Sequence, residues 1–400
     1  MLDTLPPNVQ QIISLYLDQA SRINLLYVNR YMLKVWLPEV WQNHAYRASK
    51  INAGSYNQEH LPYIRHILYD LRDKYKRHLP IKHGVLPHDL QSLTFCYKYN
   101  QKIDRDVLPK GLRSLTFGYY YDQKIEPGVL PPNLQSLTLF GQFYDRMIEV
   151  GVLPSSLRSL TFGDSYNQKI GPGVLPPNLQ SLTFSYRYDQ TIEIGVLPSS
   201  LRSLTFGHWY NRRIGVDVLP DGLRSLTFGQ KYDQIIDPDV LPIGLRSLTF
   251  GDLYNRKIDR DVLPPNLQSL TFGYLTNQKI YPGVLPIGLR SLTFSPKSKY
   301  NRKMDNVLPL GLQSLSFGES YNQKIGAGVL PISLQYLTLN NSYNQKVERG
   351  VLPLGLRVIM IRHSNYIDIV ELRQIFPGDV QNIEKLKKLK PYTHCTVLLL

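Results

Sequence analysis

The chain has 400 residues, with 46 Lys and Arg against 31 Asp and Glu, a net charge of +15 at pH 7. Its two cysteines, Cys96 and Cys395, exclude a disulfide framework. The start, Met-Leu-Asp-Thr-Leu-Pro-Pro, lacks the basic-then-apolar order of a signal peptide, and no apolar run approaches a membrane span. These features predict an intracellular, cytoplasmic protein. The basic balance permits an acidic partner or nucleic acid without demanding one.

In chain order, residues 1–45 read as a small module of three helices. Val9, Ile12, Ile13 and Tyr16 follow helical spacing after Pro6-Pro7. Ile23, Leu26 and Tyr27 form a second apolar face, and Met32, Leu33 and Trp36 a third, before Pro38 interrupts. The order Leu5-Pro6, Ile12-Ile13, Leu17-Asp18, Leu25-Leu26 and Trp36 resembles an F-box, although Asn8 stands near where an acidic residue follows the Leu-Pro. The resemblance implies docking on a Skp-type adaptor of a cullin ubiquitin ligase through Leu5, Pro6, Ile12, Ile13 and Leu17. The alternative is a helical cap on the rest of the chain.

Residues 46–84 read as a linker and a worn capping repeat. There Ile64-Arg-His-Ile67-Leu-Tyr69 mimics a later strand, and Tyr75-Lys-Arg-His-Leu79 mimics a later turn. His78, His83 and His88, spaced by five with Cys96 beyond, form a weak candidate metal cluster set against ordinary surface histidines.

Over residues 85–357 the triplet Val-Leu-Pro recurs from Val85 to Val351, mostly at 22-residue steps. Such a period means a solenoid in which no repeat buries its apolar face alone. Within Leu112-Arg-Ser-Leu115-Thr-Phe117, period-two alternation predicts a short strand with Leu115 and Phe117 inward and Ser114 and Thr116 outward. Stacked strands ~4.8 Å apart predict one parallel sheet and a rod on the order of 60 Å. The inner column runs from Phe95 and Phe117 to Leu339. Gly118, Gly163 and Gly207, each after the Phe, are read as turn residues of positive φ. Pro and Gly in the return stretch exclude helix, and a thin extended back predicts a rather straight rod.

Four columns bear on function. The residue after the repeated Tyr is Asn or Asp, as at Asn100, Asp122, Asp145 and Asn167. A site that takes either must use its oxygen, so an Asx-type turn on a partly wet edge is expected. Lys102, Lys124, Lys169, Lys257, Lys279, Lys303, Lys324 and Lys346, with Arg213, form a basic column. It reads either as a phosphate-tracking ladder or as a solvated edge relieved by Asp104, Glu126, Asp259 and Glu348. Arg113, Arg158, Arg202 and Arg224 alternate with Gln91, Gln135 and Gln180 as long stems covering apolar surface. The fourth column, the pair after Phe-Gly, varies most. Exposed Trp, Tyr and Arg anchor interfaces, so Tyr186, Arg187, His208, Trp209 and Lys231 are the candidate substrate-binding residues, against the alternative of loop drift.

Residues 358–400 read as a C-terminal cap. Val358–Ile361 is a last strand, and residues 369–376 and 380–389 are short helices over the final sheet edge. The unit Val-Leu-Pro-x-x-Leu-x-Ser-Leu-Thr-Phe-Gly-x-x-Tyr-Asn-Gln-Lys-Ile resembles the FNIP repeat, a relative of leucine-rich repeats, with Tyr where the family name has Phe. That family is associated with amoebae and the large DNA viruses that infect them, and many members carry an F-box. The fold expected is an LRR-like parallel β-solenoid with an F-box-like helical module. The function implied is a non-catalytic adaptor that recruits a protein substrate to a Skp/cullin ubiquitin ligase, a host's if the chain is viral. The alternative is a stand-alone scaffold or acidic-polymer binder. No phosphate loop, nucleophile elbow or paired-carboxylate constellation occurs, so neither enzyme nor cofactor is expected, nor a membrane or nucleic-acid partner.

Overall fold

Each 22-residue unit folds into one flat coil, and the coils stack as a parallel β-solenoid of the LRR kind. The computed structural model describes Tyr46–Arg47, His66–Tyr69, residues 80–362 apart from Phe140, Asn341, Lys346 and Arg349, and Ile367–Glu371. The F-box-like segment 1–45, His78, and residues 372–400 lie outside the described residues. The chain divides into two units, Met1–Arg187 and Tyr188–Leu400.

The first unit contains β1 (Tyr46–Arg47), β2 (His66–Tyr69), β3 (Ser92–Phe95), β4 (Ser114–Phe117), β5 (Ser136–Leu139), β6 (Ser159–Phe162) and β7 (Ser181–Thr183). The second contains β8 (Ser203–Thr205), β9 (Ser225–Thr227), β10 (Ser247–Thr249), β11 (Ser269–Phe272) and β12 (Ser291–Phe294), then β13 (Ser314–Ser316), β14 (Tyr336–Asn340), β15 (Val358–Arg362) and β16 (Ile367–Glu371). Within each unit pairing up to β15 is parallel and one repeat apart, for example Leu93↔Leu115 and Leu248↔Leu270. The worn repeat contributes β2, with Ile67 opposite Leu93, as its sequence predicts. The 23-residue steps keep the same register, Ser136↔Ser159 and Ser291↔Ser314, because the extra residues sit in the turns. Among the described residues there is no helix.

One coil shows why the fold is favoured. Val107, Leu108, Leu112, Leu115, Phe117, Tyr121 and Ile125 are all buried. Each such side chain contributes ~1.5–3 kcal/mol of transfer free energy. The Ser and Thr of the strands alternate outward as expected, giving the intermediate–buried pattern of β4. A tight turn feeds each strand, closed in this coil by Leu112 N–H donating to the Pro109 carbonyl at 3.0 Å.

Two expectations about the turns are corrected. Gly118, Gly163 and Gly207 do not have positive φ. The glycine after Phe is required by close approach instead. A Cβ on Gly118 would lie 1.9 Å from the Cys96 carbonyl oxygen, and one on Gly251 would lie 1.8 Å from that of Gly229. Positive φ occurs at the residue before every Val-Leu-Pro: Gly128 and Gly173, for example, or Asp106, Asp217 and Asn306. Only Gly, Asp and Asn stand there, the residues that tolerate the left-handed region.

The repeated Tyr, placed in a turn by the sequence, is a second core column beside the Phe column. Phe117 and Tyr121 stack at 4.0 Å, and Tyr121 meets Tyr144 at 6.2 Å. In the second unit Phe228 stacks on Tyr232 at 3.8 Å, and Tyr232 meets Tyr254 at 6.2 Å. Thr276 replaces Tyr once. Its hydroxyl donates to the Tyr254 carbonyl at 2.8 Å, and a small cavity bordered by Phe272, Ile280, Val284 and Leu285 opens there. At the C-terminal end Ile367–Glu371 pairs antiparallel with β15, so residues 369–371 are strand rather than the start of a helix. A strand satisfies the open hydrogen-bonding edge of β15, which a helix could only cover.

Candidate functional site

The variable pair after Phe-Gly lies on an edge held by backbone bonds between successive coils. Tyr120 N–H donates to the Tyr97 carbonyl at 3.0 Å in the first unit, and Lys231 N–H to the His208 carbonyl at 2.8 Å in the second. The buried glycine beneath and this bond above leave the pair's side chains no inward room, so they project to solvent at coil spacing.

In the second unit the edge brings together three of the predicted residues. Trp209 is 49% exposed, His208 is tilted against it at 5.7 Å, and the Lys231 ammonium lies 5.4 Å from the Trp209 ring centroid. A cation over an indole face is attracted by the ring quadrupole. Lys299 stands similarly 5.0 Å over Tyr274. The other two predicted residues, Tyr186 and Arg187, close the first unit. Tyr186 is 47% exposed, and Arg187 N–H donates to the Asp164 carbonyl at 2.9 Å.

The first unit carries a larger feature that the sequence reading did not centre on. Tyr97, Tyr119, Tyr120 and Phe143 cluster on the same edge over three coils. Tyr97 stacks on Tyr119 at 4.6 Å, and Tyr120 on Phe143 at 5.3 Å. Tyr97, Tyr120 and Phe143 remain substantially exposed. Desolvation, then the phenols of Tyr119 and Tyr120, raise the Tyr97 pKa. The signal was visible as an aromatic at each variable position of adjacent repeats.

Next to this edge runs the Asn/Asp column. Its oxygens accept backbone N–H groups as expected, but from the next coil rather than from a local turn. Asp122 N–H donates to Asn100 Oδ1 at 2.9 Å, Asn211 N–H to Asp189 Oδ1 at 2.9 Å, and Asn322 N–H to Asn301 Oδ1 at 3.0 Å. The following residue reads which of the two is present. Asn is answered one coil on by Gln: Gln123 donates to Asn100, Gln234 to Asn211 and Gln323 to Asn301. Asp122, Asp189 and Asp233 are answered by Arg146, Arg212 and Arg256 at 2.7, 2.8 and 2.9 Å. Two positions depart from this rule: Asp145 is followed one coil on by Gln168, and Asn277 by Arg302, which donates to its backbone carbonyl.

The Lys column is paired with acids at several coils. Lys124 reaches Glu149 at 3.0 Å and Glu126 at 3.5 Å, and Lys324 reaches Glu348 at 2.9 Å. Lys257 contacts Asp259, and Arg213 contacts Asp237, both at 2.5 Å. The Glu149 hydrogen bond, with both carboxylates, raises the Lys124 pKa. This geometry favours a solvated, self-relieved edge over a phosphate track. Arg202 and Arg224 do more than cover apolar surface, for each guanidinium donates to a carbonyl of the next coil, Gly222 or Gly244, at 2.9 Å. Among the described residues no group of three His, Cys, Asp or Glu could hold a metal, and His88 lies 3.2 Å from Asp89. No helix among them is long and apolar enough to cross a membrane.

Comparison with known proteins agrees with this architecture. The FNIP Repeat family matches residues 79–120, 121–165, 166–208, 210–253, 254–297, 300–342 and 321–364. Among curated proteins none matches. A solved structure described as CroV588, a novel circular LRR protein, shares 40% identity over 76% of this chain with a TM-score of 0.67. The match covers 47% of that chain, so the present chain spans about half its length. That relative is described as circular. YopM from Yersinia enterocolitica WA-314 is 18% identical over 76% of this chain and 74% of its own, at a TM-score of 0.35. With seven matches along the stacked coils, the chain belongs to the FNIP repeat family.

Proposed function

We propose that the protein is a non-catalytic binding scaffold that holds a protein partner on the edge following its strands. One observation carries this reading. Exposed aromatic rings concentrate where side chains vary from coil to coil, at Tyr97, Tyr120 and Phe143 in the first unit and at Trp209 in the second. The rest of each coil is framework, and rigid aromatics on a rigid frame bind at low entropic cost.

The finer reading is that residues 1–45 dock a Skp-type adaptor through Leu5, Pro6, Ile12, Ile13 and Leu17 and so bring the partner to a ubiquitin ligase. Its support is the F-box resemblance alone. Tethering acts by raising the partner's local concentration. Pulldowns from eukaryotic lysate test both levels, comparing the parent with Leu5→Asp/Pro6→Ala and with Tyr120→Ala/Trp209→Ala. Skp adaptor and cullin lost only with the first variant support the ubiquitin link. A partner lost only with the second supports the edge, and partners unaffected by it refute the edge. No adaptor with the folded parent leaves a scaffold without ubiquitin.

A further inference from the structure

A second surface stands at the other end of the strands, in the Pro-x-x-Leu turns that feed them. The residue after each Val-Leu-Pro is exposed. In the first unit it is polar or proline, as at His88, Lys110 and Ser155, and the second unit opens with Ser199 and Asp221. From there it changes character, running Ile243, Pro265, Ile287, Leu310, Ile332, Leu354. The five aliphatic members are 64, 80, 77, 73 and 93% exposed. The backbone beneath is fixed between coils, with Asn266 donating to the Ile243 carbonyl and Ser333 to that of Leu310. The result is a rigid aliphatic stripe over six coils of the second unit, ~24 Å long at strand spacing. A solvated edge avoids such a patch, and an interface presents one.

An exposed aliphatic side chain offers on the order of 100 Å² of apolar surface, so the five offer roughly 400 Å². Each partner in a stable dimer buries ~800 Å², a little over half of it apolar. The stripe is therefore close to the apolar core that one such partner contributes, with its flanks left to form the polar rim. Those flanks differ in charge. On the strand side, three residues on, stand only Arg and Gln, beginning with Arg246 and Gln268. On the other side, four residues back at the positive-φ position, stand Asp239 and Asp261 and then only Gly or Asn. One flank carries no acid and the other no cation.

We propose that a second copy of the chain packs stripe against stripe, about a two-fold axis running along the stripe. Such a contact is isologous and closes on itself. Two copies share one coil spacing, so six coils stay in register without adjustment. This axis also sets the Arg/Gln flank of each copy against the Asp flank of the other, with Arg246 facing Asp239 across the contact. A two-fold axis across the stripe would instead set Arg246 against Arg357. An external partner would have to reproduce both the pitch and the polarity of the flanks, which a second copy supplies by symmetry.

Sedimentation equilibrium of the full-length protein tests this, with Ile287→Glu/Ile332→Glu beside the parent. The parent should be a dimer at micromolar concentration. The variant should dissociate roughly a hundredfold more readily, because its carboxylates meet an apolar contact. Both positions are more than 70% exposed, so circular dichroism should show the variant folded like the parent. Cross-linking makes the test independent of that variant. With p-benzoylphenylalanine at position 332, an irradiated equal mixture of light and isotope-labelled chains should give mixed-isotope links to residues 328–336. A monomeric parent, a dimer that persists in the folded variant, or links within one chain only would overturn the proposal. Mixed-isotope links to the coil of Pro265 would overturn the axis along the stripe.

Discussion

Raising the pH past 10 is expected to unfold the solenoid steeply, through its buried tyrosines. Burial, the first cause in each case, raises the phenol pKa of Tyr121, Tyr144 and Tyr166 in the first unit, and of Tyr210, Tyr232, Tyr254, Tyr300 and Tyr321 in the second. Neighbouring phenols add to the effect at Tyr121, Tyr210 and Tyr321, because adjacent coils would place two anions about one ring apart. In the unfolded chain a phenol ionises near its ordinary value of about 10. Between that value and the raised folded one, the folded state binds more protons than the unfolded state. The stability from neutral phenols is thus fully present below pH ~10 and is lost as pH rises toward the folded pKa. Each such group removes ~1.4 kcal/mol per pH unit, so eight remove on the order of 10 kcal/mol over one unit. Domain stabilities are typically ~5–15 kcal/mol, so the transition should fall within about one unit above pH 10.

Tyrosinate absorbance and far-ultraviolet circular dichroism, followed together against pH, measure it. Part of the 28 tyrosines should titrate gradually with the strand signal intact. The remainder should ionise in one step, steeper than a single-proton curve, as the strand signal disappears. Tyr232→Phe/Tyr254→Phe removes two ionisable groups and should move that step to higher pH. If all the tyrosines follow one shallow curve while the strand signal persists, the phenols are reachable by hydroxide and the sealed aromatic column is wrong.

Thermal and denaturant unfolding check the other expectations. Gly251→Ala drives a Cβ to 1.8 Å from a backbone oxygen and should cost about 3 kcal/mol, whereas Gly215→Ala, whose nearest neighbour is a Val218 methyl at 3.8 Å, should change stability by less than about 0.5 kcal/mol. Thr276→Tyr completes the ring column and fills the cavity beside Phe272, so it should raise stability by about 1 kcal/mol despite losing the bond to the Tyr254 carbonyl. Asn301→Asp keeps the oxygen that receives Asn322 N–H and should be near neutral, while Asn301→Leu should cost about 1 kcal/mol; equal costs would show that the amide nitrogen matters.

The residues that were legible in the sequence are those whose role depends on their own coil. Leu115 and Phe117 alternate with Ser114 and Thr116, and period two alone puts them inward, where they are found. The roles that were misread depend on the coil before or after. Gly118 looks like any turn glycine until the Cys96 carbonyl is placed beneath it, and only stacking does that. The Asn/Asp interchange marks the Asn100 oxygen as the acceptor of an N–H, but the donor, 22 residues on, is identifiable only with the coils in register. The Tyr column was hidden for a different reason. A side chain flanked by Asn, Gln and Lys reads as a polar turn, and its burial follows from the ring lying back over its own coil's Phe at about 4 Å. The pairing of Asp122, Asp189 and Asp233 with Arg, and of Asn100, Asn211 and Asn301 with Gln, is nonetheless written in the sequence as variation between adjacent repeats. In a chain of near-copies, the exceptions carry what the consensus cannot. By the same reasoning the aromatic edge at Tyr97–Phe143 and the aliphatic stripe at Ile243–Leu354, each confined to a few coils, are exposed apolar departures from the repeat that its consensus does not predict.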